Sequence, residues 1–260
     1  MVESSPNKRL GIRRGIYVLP SLFTTMGLFA GFYSIIAAIQ GLFIMASWAI
    51  VAAAIFDALD GRVARLLNAS TDFGAEYDSL CDIVSFGLAP AILVYLWVLA
   101  PFHQYGWLAA FMFVACAALR LARFNVQIDT QDKRYFQGLP TPGAALLLAT
   151  MVLFFEKMQL EPISWLSMTM VLMLAWLMVS RVRFFSGKDI DLRQRRPFPL
   201  LFGMLIGLAL LVAETYKVLF FVMFVYCAHG PFLSVWQYRQ LMRDRSLRRK
   251  SNVNDDAHGA

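Results

Sequence analysis

Oily stretches alternate with short polar breaks along almost the whole chain, from residue 16 to residue 236. There are eight such stretches, at roughly 16–39, 42–60, 82–100, 106–122, 142–156, 163–180, 198–213 and 217–236. They are of roughly transmembrane length, although several are shorter than the ~20 residues that a helix needs to cross ~30 Å of hydrocarbon. Segments apolar on every face belong in lipid or in a deep core. The pattern therefore predicts an all-α polytopic membrane protein, a bundle of about eight transmembrane helices.

The charges sit in the breaks, and unevenly. Taking the breaks alternately, the N-terminal tail and the stretches 61–81, 120–135, 181–196 and 237–260 hold 22 of the 24 Lys and Arg residues. The intervening breaks hold only Lys157 and Lys217. Cationic loops stay on the cytoplasmic side, so both termini are expected there, with an even number of spans. Lys8, Arg9, Arg13 and Arg14 precede the first apolar run, but no small-residue cleavage pattern follows it. That run reads as a retained first span. The expected organisation is a basic cytoplasmic tail over 1–15, a membrane domain over 16–240 and a polar, disordered tail over 241–260.

Composition agrees. Of 260 residues, 59% are hydrophobic and 16% charged, where soluble domains carry about 25% charged residues. The net charge of +7 lies mainly at the cytoplasmic edges, where it sets topology and attracts anionic headgroups. With no soluble basic domain, nucleic-acid binding is excluded. Cys81, Cys116 and Cys227 lie in or beside apolar runs without metal-ligand spacing, and read as buried thiols. His103, His229 and His258 read as structural or tail residues.

One segment breaks the pattern. Residues 57–82 follow D-x2-D-G-x2-A-R-x8-G-x3-D-x3-D, placing carboxylates between two apolar runs. Ionisable groups at a membrane edge are costly and mark functional sites. On helices, Asp57 and Asp60 form an i,i+3 pair and Asp78 and Asp82 an i,i+4 pair, each sharing one face. If the second and third helices pack antiparallel, both pairs meet. Four hard oxygen donors suit Mg²⁺ or Mn²⁺ rather than zinc, and two such ions clamp the oxygens of a phosphoryl displacement. Six acids against Arg62 and Arg65 leave this segment at −4, an excess that two divalent cations cancel. Gly61, Ala64 and Gly74 allow close approach of a ligand or a neighbouring backbone. Arg65 offers a forked donor set for phosphate. The competing reading of such acids, a cation-coupled transporter site, would spread them over several helices near the midplane.

Those positions are similar, without a gap, to the signature of the CDP-alcohol phosphotransferase family. The resemblance implies that Asp57, Asp60, Asp78 and Asp82 bind two divalent metals, with Asp82 also the general base. It places Gly61, Arg65, Thr71 and Gly74 beside the cytidine diphosphate group. The segments 77–90, 119–125 and 136–143 resemble the branch that transfers phosphatidyl from CDP-diacylglycerol to L-serine. Ser79 and Ile83 stand where the glycerophosphate branch has Pro and Lys. Transfer to inositol phosphate, glycerol phosphate or choline is the alternative. The resemblance further implies a homodimer in the inner or plasma membrane of a prokaryote, with the site at the cytoplasmic face. The first span departs from the family's Pro-Asn opening, reading Pro20-Ser21-Leu22-Phe23-Thr24. Ser21 keeps a hydroxyl there, with Thr24 three residues on. Arg120 and Arg123 read either as cationic flanks of a span or as receptors for the acceptor's carboxylate or the lipid's phosphates. The turn G-L-P-T-P-G (138–143) reads either as a rigid connection or as a ligand contact.

Overall fold

The computed structural model describes residues 7–67, 71–127, 135–180, 182–185 and 213–231. The chain runs through α1 (Asn7–Ile39), α2 (Phe43–Leu66), α3 (Asp72–Asp82), α4 (Ala89–Val94), α5 (Gln104–Gln127), α6 (Thr141–Met158) and α7 (Ser164–Val179). A further helix, α8, covers residues 215–231. Five described helical spans are long and apolar enough to cross a membrane: Pro20–Ile39, Phe43–Leu66, Asp72–Phe102, Gln104–Val126 and Thr141–Met158. Ser164–Val179 is apolar but shorter. Among the expected segments, 198–213 lies almost entirely outside the described residues. Helix α1 is continuous from Asn7, so helix begins well before the first apolar run. The described residues are not wholly helical, because β1 (Tyr135–Gln137) pairs antiparallel with β2 (Arg183–Phe185). That pairing ties the connection before α6 to the chain beyond α7.

The bundle is built on small residues. Ala37, Ala46, Ala53, Ala89, Ala117 and Ala144 are almost fully buried, while Phe29, Phe111, Trp165 and Trp176 are exposed. In lipid there is no hydrophobic force between helices, so association rests on close backbone approach, which small side chains permit. Helix α1 packs most extensively on α2, and Ser34 Oγ donates to the Ala46 carbonyl at 2.8 Å. Against the third span the approach is closer still. Ser85 Oγ donates to the Gly27 carbonyl at 3.1 Å, and a Cβ on Gly31 would lie 2.7 Å from Ser85 Cα. Gly31→Val is therefore expected to lower stability by about 1–3 kcal/mol through overpacking. An unfolding midpoint in detergent equal to the parent's would show that α1 is free to yield there.

The third span is not a uniform helix. A π-helical stretch, Ile83–Leu88, joins α3 to α4, with the Ala89 N–H reaching back five residues to the Val84 carbonyl. A second, Tyr95–Leu99, precedes a short 3₁₀ turn at Ala100–Phe102. Each π stretch ends two residues before a proline, Pro90 and Pro101. Proline lacks an N–H and crowds the carbonyl one turn back; a widened turn accommodates both. At the far end of the bundle, Trp97 Nε1 donates to Glu156 Oε1 at 2.7 Å, tying this span to α6.

Candidate active site

Helices α2 and α3 bring the acidic segment together from its two ends. Asp57 and Asp60 lie within the last three turns of α2, and Asp78 and Asp82 on the last two turns of α3. One carboxylate oxygen from each of Asp57, Asp60 and Asp78 lies within 4.8 Å of the others. Asp82 sits one turn beyond Asp78 and lines the same small cavity as the other three. Ten residues of α3 separate it from the helix start at Asp72, a depth of about 15 Å along the helix. The tight group is therefore a trio, with the fourth carboxylate deeper.

Local chemistry fixes these positions. Thr24 Oγ1 donates to Asp60 Oδ2 at 2.8 Å, joining α1 to the trio. Thr71 caps α3, its hydroxyl oxygen accepting from the Gly74 N–H at 3.0 Å. This is the N-cap pattern, a hydroxyl satisfying one of the first orphan donors. Gly74 has little alternative, since a Cβ would lie 3.1 Å from that oxygen. Thr25 and Tyr77 share a hydroxyl–hydroxyl hydrogen bond of 3.0 Å, a second tie between α1 and α3.

Above the trio opens a cleft of about 170 Å³, bordered by Ser21, Thr24, Gly61, Ala64, Thr71 and Gly74 among others. A Cβ on Gly61 would meet nothing within 4 Å. Packing does not require that glycine; its absent side chain leaves the cleft wall open. Ser21, like Thr24, thus borders the cleft from α1. Arg65, one turn beyond Gly61, is exposed and does not line the cleft.

The donor set suits a hard divalent cation. It is all carboxylate, at a spacing one ion can bridge, and no Lys, Arg or His nitrogen among the described residues lies within 4.0 Å of it. Like charges this close need a cation or protons.

The two arginines of α5 part company. Arg123 donates to the Val179 carbonyl at 3.1 Å and to that of Ser180 at 3.5 Å, so it caps the end of α7. Arg120 is buried, donates through Nη1 to Thr141 Oγ1 at 2.8 Å and lies within electrostatic reach of Asp82. Asn125 shares a hydrogen bond of 3.0 Å with Ser79 across α5 and α3. The turn before α6 is structural at its first residue: Gly138 has φ +82° and lies against the Met178 carbonyl. Thr71 was open to discovery from sequence as a cap, since a hydroxyl residue before an acidic first turn signals a helix start. The close seating of Gly31 on Ser85 carried no such local signal.

The pattern of the CDP-alcohol phosphatidyltransferase family matches residues 17–180. The chain belongs to that family. It is similar to a CDP-diacylglycerol–serine O-phosphatidyltransferase of Helicobacter pylori (strain ATCC 700392 / 26695), 41% identical over 177 residues, covering 67% of this chain and 75% of the relative. It is also similar to the protein of that name from Mycobacterium leprae (strain TN), 32% identical over 241 residues, 89% of this chain and 78% of the relative. An archaetidylserine synthase of Methanothermobacter thermautotrophicus is 39% identical over 137 residues, 52% of this chain and 58% of the relative. The family match takes in the four carboxylates, the cleft and Arg120. It stops before α8.

Proposed function

We propose that this membrane enzyme transfers the phosphatidyl group of CDP-diacylglycerol to the hydroxyl of L-serine, giving phosphatidylserine and CMP. The observation that carries the reading is the Asp57–Asp60–Asp78 trio, of which Asp60 and Asp78 border a cleft whose wall is opened by Gly61. Serine as acceptor is supported by the named activity of the bacterial relatives.

In this reading Asp57, Asp60, Asp78 and Asp82 hold two divalent cations, Mg²⁺ or Mn²⁺. Such ions supply charge neutralisation at a transferring phosphoryl group. The cytidine diphosphate lies along Gly61, Thr71 and Gly74, with Ser21 and Thr24 offering hydroxyls from α1. Arg65 reaches toward the phosphates from the cleft's outer edge. Asp82 takes the proton from the serine hydroxyl as its oxygen bonds to the lipid-side phosphorus. The bond from that phosphorus to the bridging oxygen breaks, and CMP leaves with the electron pair. Arg120 and Arg123 are the acceptor-side cations, Arg123 acting by holding the end of α7. Positioning and preorganised charge supply most of the rate.

The test is purified protein with CDP-diacylglycerol, Mg²⁺ and a panel of L-serine, glycerol phosphate, inositol phosphate and choline, read by CMP release. Release with L-serine is expected; release only with another alcohol would move the protein to another branch.

The proposal extends to setting. The chain is a homodimer in a prokaryotic plasma membrane, with eight spans and both termini on the cytoplasmic side with the carboxylates. A reporter fused after Ala260 is therefore expected to read out as cytoplasmic, following the distribution of Lys and Arg. An external readout would overturn the eight-span arrangement.

A further inference from the structure

Helix α3 carries two of the four carboxylates but little of the apolar packing that fixes a helix about its own axis. Among its residues only Cys81 is buried, while Phe73 and Leu80 are largely exposed. The well-buried stretch of this span begins only beyond Asp82, with Ser85, Phe86 and Gly87 of the π-helical turn. Apolar contact therefore does little to decide which way Asp78 points.

Polar ties on both flanks of Asp78 do decide it. At about 3.6 residues per turn, Tyr77 and Ser79 stand to either side of Asp78 on the helix. Toward α1, the Tyr77 and Thr25 hydroxyls lie 3.0 Å apart. Thr25 donates its own proton to the Ser21 carbonyl at 2.7 Å, so Tyr77 is the donor in that pair. Toward α5, the Asn125 amide donates to Ser79 Oγ at 3.0 Å and to Glu76 Oε2, one turn back, at 3.5 Å. Ser79 donates in turn to the Ala75 carbonyl of its own helix at 3.0 Å, which leaves its oxygen to accept from Asn125. Neither Tyr77 nor Ser79 lines the cleft or the cavity of the carboxylates. They act on that site only through the setting of α3.

We propose that these two ties form a clamp that holds α3 in the rotation at which Asp78 completes the trio, with Tyr77 and Ser79 as positioning residues. The inference rests on the metal-binding reading above and adds what prepares the site for its cation. A partial turn of α3 would carry Asp78 off the trio and leave Asp57 and Asp60 in place on α2. Each tie lost lowers the share of molecules with α3 correctly set, and the apparent affinity for the cation falls with that share. Enough cation draws α3 back, because it binds the set form better. The loss is thus one of metal affinity, not of chemistry.

The experiment measures Mn²⁺ binding to the purified protein in detergent, from the spin-resonance signal of the free ion. Beside it, CMP release from CDP-diacylglycerol and L-serine is followed across a Mg²⁺ titration. Tyr77→Phe and Ser79→Ala should each weaken Mn²⁺ binding about three- to tenfold, the worth of one hydrogen bond. The Mg²⁺ needed for half-maximal CMP release should rise to the same degree. Turnover at saturating Mg²⁺ should stay within about twofold of the parent's. Ser79→Thr, which keeps the hydroxyl, should bind Mn²⁺ as the parent does. Parent-like Mn²⁺ binding in both Tyr77→Phe and Ser79→Ala, whatever their unfolding midpoints, would make the ties merely structural and overturn the clamp. So would a loss of turnover that saturating Mg²⁺ does not restore. A parent that binds no Mn²⁺ would sink the metal-binding reading itself, and the clamp with it.

Discussion

Asp82→Asn protein is expected to bind CDP-diacylglycerol yet release CMP at least about 100-fold more slowly than the parent at saturating Mg²⁺. The reasoning separates two duties. An amide oxygen still coordinates a hard cation weakly, so a residue that is a ligand only is partly rescued by more metal. A general base has no such rescue, because the amide cannot accept the serine proton. The geometry favours the second duty. Asp57, Asp60 and Asp78 gather within 4.8 Å of one another, whereas Asp82 stands a turn deeper, toward Arg120. The measurement is CMP release across a metal titration, with lipid-substrate binding followed separately. Turnover within a few-fold of the parent would remove the proton-acceptor role and leave Asp82 a ligand.

The trio gives an expectation of opposite sign in stability and activity. Replacing Asp57, Asp60 or Asp78 with Asn should reduce transfer by at least about 100-fold, since charge stabilisation at a phosphoryl group is worth several kcal/mol. In excess chelator the same variants should be at least as stable as the parent, because one of three crowded like charges is gone. Adding Mg²⁺ should raise the parent's unfolding midpoint, as any ligand of the folded state does. It should raise the variants' much less. Chelator should abolish the parent's activity reversibly. Full activity in excess chelator, or a metal-induced shift unchanged in all three variants, would show that these carboxylates do not bind the ion.

What could be read beforehand was what spacing along one helix decides. The i,i+3 and i,i+4 pairs were legible because a helix puts such residues on one face whatever else the chain does. So were five spans, since lipid demands long apolar helices. Contacts between distant elements were not legible. Arg120 and Arg123 look alike in sequence, both near the end of α5, yet one meets the start of α6 and the other the end of α7. Nothing local in either residue's neighbourhood decides between them. Tyr226 is an aromatic in an apolar helix, one of many, until α8 is seated on Gly143. The trio's separation from Asp82 also needed coordinates: a shared face gives direction, whereas distance depends on how α2 leans on α3. The short β1–β2 pair lay in polar connections with no alternating pattern to announce it.

The π-helical turn that follows Asp82 has a consequence for how this span tolerates change. Successive residues of an α-helix advance by about 100° around the axis, so one extra residue held in a single turn rotates everything beyond it. The carboxylate-bearing half and the half that packs near Trp97 are thereby set at different phases on one continuous rod. Each half keeps its own correct facing because the wide turn absorbs the mismatch. Trimming one residue between Ile83 and Leu88 would let the rod close as an ordinary α-helix. It would also swing the outer half out of step with its neighbours or, if that half held fast, turn Asp78 and Asp82 away from α2.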